Sequence, residues 1–144
     1  MEKEKILVSA CFINEGYKYD GGANINKKIA ELEKKYDFIL ICPEVFGGLS
    51  SPRYPSEIVG QKVVNSLGED VTYAFVSGAN KALELAKKHG VKKAILKAKS
   101  PSCGKGIIYD GTFSHQTIQG NGIAAQLLME NGIEVYTELE VDNL

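Results

Sequence analysis

Four short apolar runs recur along the chain: Ile6 to Phe12, Asp37 to Cys42, Ala94 to Ala98 and Ile133 to Tyr136. Each is rich in aliphatic residues and too short for a buried helix, so each reads as a strand covered on both faces. The segments between them carry helical spacing. Ile25, Ile29 and Leu32 share one stripe, with Asn24 a suitable N-cap. Val71, Phe75, Ala79, Ala82 and Ala86 form a longer stripe, with Asp70 placed to cap it and Gly90 to end it after Lys87, Lys88 and His89. Ile123, Ala124, Leu127 and Leu128 form a third, closed by Asn131-Gly132. Strands that alternate with helices pair in parallel through right-handed crossovers. The pattern predicts a Rossmann-like three-layer α/β fold with a mainly parallel sheet, as a single domain over 1–144.

The remaining segments are less regular. Ile58-Val59 and Val63-Val64 flank Gly60-Gln61 and read as a small hairpin. Glu44 to Pro55 is a long loop, and long loops in compact domains tend to carry function. Ile107 to Gly111 precedes a polar loop that runs to Asn121, and the acidic tail from Glu138 to Leu144 reads as solvated. A net charge of −1 gives no broad basic surface, so a nucleic-acid partner is not expected and a small-molecule one is. No apolar run approaches the roughly 20 residues of a membrane helix. Met1 to Lys5 leads into the first strand with no apolar signal region, which points to the cytoplasm. Thiols stay reduced there, and an odd count of three cysteines argues against a disulfide framework.

Those cysteines share a position. Cys11 ends the first strand, Cys42 ends the second, and Cys103 lies in the turn Ser100-Pro101-Ser102-Cys103-Gly104 after the third. Sites in open parallel sheets form beyond the carboxyl ends of the strands. Strands about 4.8 Å apart would bring the three thiols within about 10 Å of one another. A free cysteine is as often a small buried hydrophobe as a ligand, and no C-x-x-C pair is present. Three thiolates suit zinc, for which His115 is the one candidate fourth ligand, or an iron–sulfur cluster. His115 taken alone reads as a surface loop residue and His89 as a helix C-terminal one.

Several blocks together carry a resemblance: Val8-Ser9-Ala10-Cys11, Tyr19-Asp20-Gly21-Gly22, Cys42-Pro43-Glu44-Val45-Phe46-Gly47-Gly48-Leu49, and Pro52-Arg53. They continue with Gly68-Glu69-Asp70-Val71-Thr72, Ser100 to Gly104, Ile108-Tyr109-Asp110-Gly111-Thr112-Phe113-Ser114, and Gly120-Asn121-Gly122-Ile123. In order and extent the chain resembles a family of small Rossmann-like domains, long of unknown function, that includes the iron–sulfur thiouracil desulfidases. The resemblance implies a 4Fe–4S cluster held by three cysteines, here Cys11, Cys42 and Cys103, with one open iron. It implies an enzyme that turns a thiolated pyrimidine, or its nucleotide, into the oxo form and releases sulfide. It also implies a catalytic glutamate and serine, which map to Glu44 and to Ser102 in preference to Ser100. Two departures stand out. Relatives often carry a further cysteine where this chain has Tyr17-Lys18, and Phe-Ser-Gly where it has Phe113-Ser114-His115.

Other residues enter as expected substrate contacts: Asp20, Gly21, Gly22, Ser100 and Gly104 through turns that bring backbone N–H groups close, and Arg53 as a phosphate clamp. Each has an ordinary alternative. Asp-Gly-Gly is common turn chemistry, Arg53 could form a surface ion pair, and Glu44 could be an exposed loop carboxylate. Lys97 and Lys99, ending the third strand, either tune the site or are solvated. A non-catalytic iron–sulfur or zinc redox sensor, or interaction module, is the alternative to the enzyme. A metal-free Cys103 nucleophile lacks an adjacent histidine.

Overall fold

The computed structural model describes residues 3–144. Met1 and Glu2, part of the N-terminal segment expected to lack a signal region, lie outside them. Strands β1 (Glu4–Ser9) and β2 (Tyr36–Ile41) pair in parallel along their whole length, Glu4 opposite Tyr36 and Ser9 opposite Ile41. The hairpin β3 (Ser56–Val59) and β4 (Lys62–Asn65) turns at Gly60-Gln61, as the sequence predicts. Strand β5 (Lys93–Leu96) joins β1 on its other side, and a second hairpin, β6 (Ile107–Tyr109) and β7 (Thr117–Gln119), follows. Strand β8 (Glu134–Thr137) completes a parallel sheet of order β2-β1-β5-β8.

The two central strands explain the apolar runs. Ile6, Leu7 and Val8 of β1, and Ala94, Ile95 and Leu96 of β5, are fully buried, because both faces of the sheet are covered. Side chains alternate between the faces. Leu7, Ala94 and Leu96 meet two helices, α3 (Thr72–His89) and α4 (Ile123–Glu130). Ile6, Val8 and Ile95 meet Phe12, Ile29 of the short helix α1 (Lys27–Glu31), and Val141 near the C-terminus. Gly90 closes α3 in the left-handed conformation, φ 66°, as expected of a helix-ending glycine.

Several expectations are corrected. The N-cap of α1 is Asn26, whose side chain accepts a hydrogen bond from the Ile29 amide, so Asn24 is free for another role. The long loop after Cys42 begins with a one-turn helix, α2 (Pro43–Phe46): Pro43 ends the strand and, with φ already helical, starts the turn. Asp70 acts one residue earlier than predicted; Val71 holds the cap position and the Asp70 carboxylate accepts from the Thr72 amide. The polar stretch before Asn121 contains β7, whose three residues are all exposed. The acidic tail is not simply solvated. It turns through Val141–Asn143, buries Val141, and pairs Glu138 with Lys97 and Glu140 with Lys105.

Helices α2 and α3 approach through glycines. A Cβ on Gly78 of α3 would fall on the Pro43 carbonyl, and one on Gly47 would fall on the Ala74 carbonyl. This contact fixes α2 and with it Glu44 and the preceding Cys42. In an ordinary helix interior Gly→Ala stabilises by about 1 kcal/mol. Here Gly78→Ala is expected to destabilise by about 1–3 kcal/mol, because the backbones must separate. Urea unfolding reads the sign, and a stabilised variant would remove this contact as the anchor of α2.

Candidate metal centre and its carboxylate

The three cysteines leave the same edge of the sheet. Cys11 sits in the 3₁₀ turn Ala10–Phe12 that ends β1, Cys42 precedes α2 at the end of β2, and Cys103 lies in the turn after β5. All three line one cavity of about 590 Å³. Each sulfur has a polar neighbour. Asn24 Nδ2 donates to Cys11 Sγ at 3.4 Å, the Cys42 thiol donates to the Tyr17 carbonyl at 3.6 Å, and Ser9 Oγ donates to Cys103 Sγ at 3.6 Å, with Ser102 Oγ 3.5 Å from the same sulfur.

All three cysteines are free, and burial pushes every thiol up from its usual range. Cys103, the most enclosed, is pushed up to about 12, against the opposing effect of the Ser102 and Ser9 hydroxyls. In the metal-free protein these groups keep their protons at neutral pH. A bound cation reverses that preference, so loading the site releases protons. Among the described residues no three His, Cys, Asp or Glu side chains are grouped tightly enough to ligate one ion. The sulfurs instead border an open chamber, and His115, the one candidate for a fourth zinc ligand, packs its ring edge-on to Tyr109.

The turn carrying Cys103 is held by α4. The Ile123 amide donates to the Pro101 carbonyl, and the Ala124 and Ala125 amides donate to that of Ser102. A Cβ on Gly122 would strike the Ser102–Cys103 peptide at 2.5 Å, so only glycine fits there. The α4 N-terminus thereby fixes the backbone of the serine and the cysteine together.

Glu44 lies inside this site and is not an exposed loop carboxylate. Its Oε1 accepts from Arg53 Nε at 3.0 Å and its Oε2 from Ser102 Oγ at 2.9 Å. The ion pair is largely enclosed, with the Arg53 and Glu44 side chains 8% and 14% exposed. Ser100 stands behind Ser102. Its Oγ accepts from the amides of Ser102 and Cys103 and lies 2.9 Å from Ser102 Oγ. A carboxylate only accepts, so Ser102 directs its proton to Glu44 and Ser100 directs its own to Ser102. The result is an ordered chain, Ser100 to Ser102 to Glu44.

Other expected residues have structural surroundings. The Arg53 guanidinium, besides Glu44, donates to the carbonyls of Ser50 and Tyr17 and so ties two loops to α2. Asp20, Gly21 and Gly22 form a turn outside the cavity wall, whose neighbouring residues Tyr17, Lys18 and Tyr19 do line it. The Gly22 amide donates to Asp20 Oδ1 and holds that exposed carboxyl below its ordinary range. Gly104 also lies off the wall; a Cβ there would meet the Ser100 carbonyl at 2.7 Å. Lys97 lines the cavity and pairs with Glu138 at 2.7 Å. Ser9 and Asn24 on the sulfurs and Glu57 of β3 are not among the expected site residues, and the β6–β7 tip with Tyr109, Phe113 and His115 reaches the cavity from a stretch that reads as a polar loop. For Ser9 the nearest to a signal is a hydroxyl in an otherwise apolar run.

A model of the 2-thiouracil desulfurase family matches residues 6–140. The uncharacterized protein YbbK of Bacillus subtilis (strain 168) is 40% identical over 149 residues, which cover 96% of this chain and 99% of that protein. A solved structure described as the [4Fe-4S]-dependent thiouracil desulfidase TudS superposes with a TM-score of 0.90 at 41% identity, covering 99% of this chain and 95% of the other.

Proposed function

This chain belongs to the 2-thiouracil desulfurase family, and we propose that it is an iron–sulfur-dependent desulfidase that converts a thiolated pyrimidine, or its nucleotide, to the oxo form. The observation that carries this reading is the Glu44–Ser102 pair, 2.9 Å apart, with Ser102 adjoining Cys103 on the wall shared by all three thiols. The donor set fits the cofactor. Three soft thiols, each with a polar neighbour, border a chamber with room between them, which suits a polynuclear cluster rather than a single ion. Cys11, Cys42 and Cys103 would hold a 4Fe–4S cluster. When bound through three thiolates it supplies an iron with no protein ligand, a Lewis acid for the thiocarbonyl sulfur.

The chain's own residues then manage water and protons. Ser102 Oγ orients a water against the thiocarbonyl carbon; as it accepts the water's proton it passes its own to Glu44 Oε2. A C–O bond forms as the C=S π pair moves onto sulfur; the water's second proton then passes from the new hydroxyl to the sulfur, C=O forms, and the remaining C–S bond breaks with its electron pair on sulfur, which leaves as hydrosulfide. The proton held on Glu44 departs with it, and no oxidant or reductant is consumed. Ser100 keeps Ser102 aligned, and Arg53 keeps Glu44 facing Ser102.

The test is anaerobic purification, reconstitution with iron and sulfide, and addition of thiouracil. The expected result is bound iron and sulfide with broad visible absorbance, followed by loss of the thiocarbonyl band and release of sulfide. A protein that takes up no iron under these conditions would overturn the reading, and a loaded protein inert toward every thiolated pyrimidine would favour a sensor. Removing the metal with a chelator is expected to abolish turnover while the circular dichroism of the fold persists.

A further inference from the structure

The cavity holds a second enclosed carboxylate. Glu57 on β3 is 8% exposed and lines the cavity wall. Its Oε1 accepts from the amides of Gly111 and Phe113, at 2.9 and 3.2 Å, and so ties the β6–β7 tip to the first hairpin. Its Oε2 takes no hydrogen bond from the described residues, and no cation pairs with it among them. Yet no buried side-chain oxygen of the described residues lacks a partner, so Oε2 is reached from open space, and the space that Glu57 borders is the cavity. An enclosed carboxylate oxygen with no donor is costly unless something entering the site donates to it.

The surroundings say what that donor is attached to. Tyr109 and Phe113 line the same wall, carried by the strand and tip that Glu57 holds. Phe113 and His115 adopt positive φ, 57° and 63°, a conformation that non-glycine residues take up at a cost. Aromatic side chains beside a carboxylate acceptor suit a flat heterocycle with a ring N–H. We infer that Glu57 Oε2 accepts the N–H between the two carbonyl-type carbons of a thiolated pyrimidine, the N–H that flanks the thiocarbonyl. Glu57 is then a recognition residue that selects heterocycles protonated there. This rests on the desulfidase reading, and it adds a selection rule to it: the lactam-type N–H is required and its N-methyl derivative is rejected.

Glu57→Gln is the informative variant, since its amide oxygen still accepts from Gly111 and Phe113 while its NH₂ opposes the substrate N–H. Cluster absorbance is expected to be unchanged. KM for thiouracil is expected to rise roughly tenfold or more, with kcat altered far less. Wild-type protein should discriminate against thiouracil methylated on that nitrogen by a similar factor, and the variant should lose most of this discrimination. Uracil, which presents the same N–H and needs no cluster, is the probe for binding to cluster-free protein, and it should bind wild type more tightly than the variant. Equal KM values, or uracil binding that is the same in both or absent from wild type, would overturn the assignment. If wild type fails to desulfurate thiouracil but binds uracil through Glu57, the reaction is wrong and the recognition residue stands.

Discussion

Cys103→Ser is expected to eliminate cluster assembly and desulfidation while leaving the fold intact. Cys103 belongs to the apolar cluster beneath α3 and α4, so truncation to alanine would leave a cavity as well as remove a ligand. Serine avoids that confusion. It preserves volume, and its hydroxyl finds Ser9 already aimed at the Sγ position and Ser102 beside it. What it cannot supply is a soft anionic donor, since an enclosed hydroxyl stays protonated. With only two cysteines left in the chain, no other thiol can take its place. Iron content should fall by roughly tenfold or more, and turnover by at least about 10³-fold, the scale of several kcal/mol of lost Lewis-acid stabilisation. Circular dichroism and the urea midpoint should stay near wild type. Cys11→Ser and Cys42→Ser should behave alike, because the proposed tripod needs all three legs. A Cys103→Ser protein with full iron and sulfide content would remove Cys103 from the ligand set.

The legible part of this molecule is the part that physical burial makes repetitive. β1 and β5 announce themselves because central parallel strands bury both faces, the edge strands β2 and β8 because each keeps a short aliphatic run, and α3 because its stripe of Phe75, Ala79, Ala82 and Ala86 repeats over several turns. Parallel strands also end at one edge, so three cysteines after three strands meet without any short motif. Elements below that threshold leave no pattern. β7 is exposed throughout, α2 is a single turn, and the tail hides one buried valine among acids. The pairings that shape the site are longer in range still. Ser102 to Glu44, Arg53 to Glu44 and Glu57 to Phe113 join loops whose chemistry is ordinary when each is read alone. Arg53 illustrates the limit: neither a surface ion pair nor a free phosphate clamp anticipates a guanidinium enclosed against the carboxylate of its own site.

Glu44→Gln is expected to separate proton transfer from cluster binding. Glutamine keeps the length and planarity of the side chain, and its carbonyl can still accept from Ser102 or from Arg53. It cannot take up the proton that Ser102 hands on, so kcat should fall by about 10²–10⁴, the usual contribution of a positioned base. Iron content, absorbance and KM should change little, since the sulfurs and the Glu57 wall are untouched. Stability will not be neutral. Arg53 is 8% exposed and loses its carboxylate partner, and orphaning a charge in a buried pair costs about 3–5 kcal/mol. That cost must be told apart from lost chemistry. Arg53→Gln in the same background removes the orphaned guanidinium and should recover stability without recovering kcat. Ser102→Ala gives the complementary result, a slower enzyme whose Glu44–Arg53 pair survives. If Glu44→Gln retains more than roughly a tenth of wild-type kcat, well short of a base's contribution, the proton goes elsewhere, and the Ser100–Ser102–Glu44 chain only holds the Cys103 turn in place.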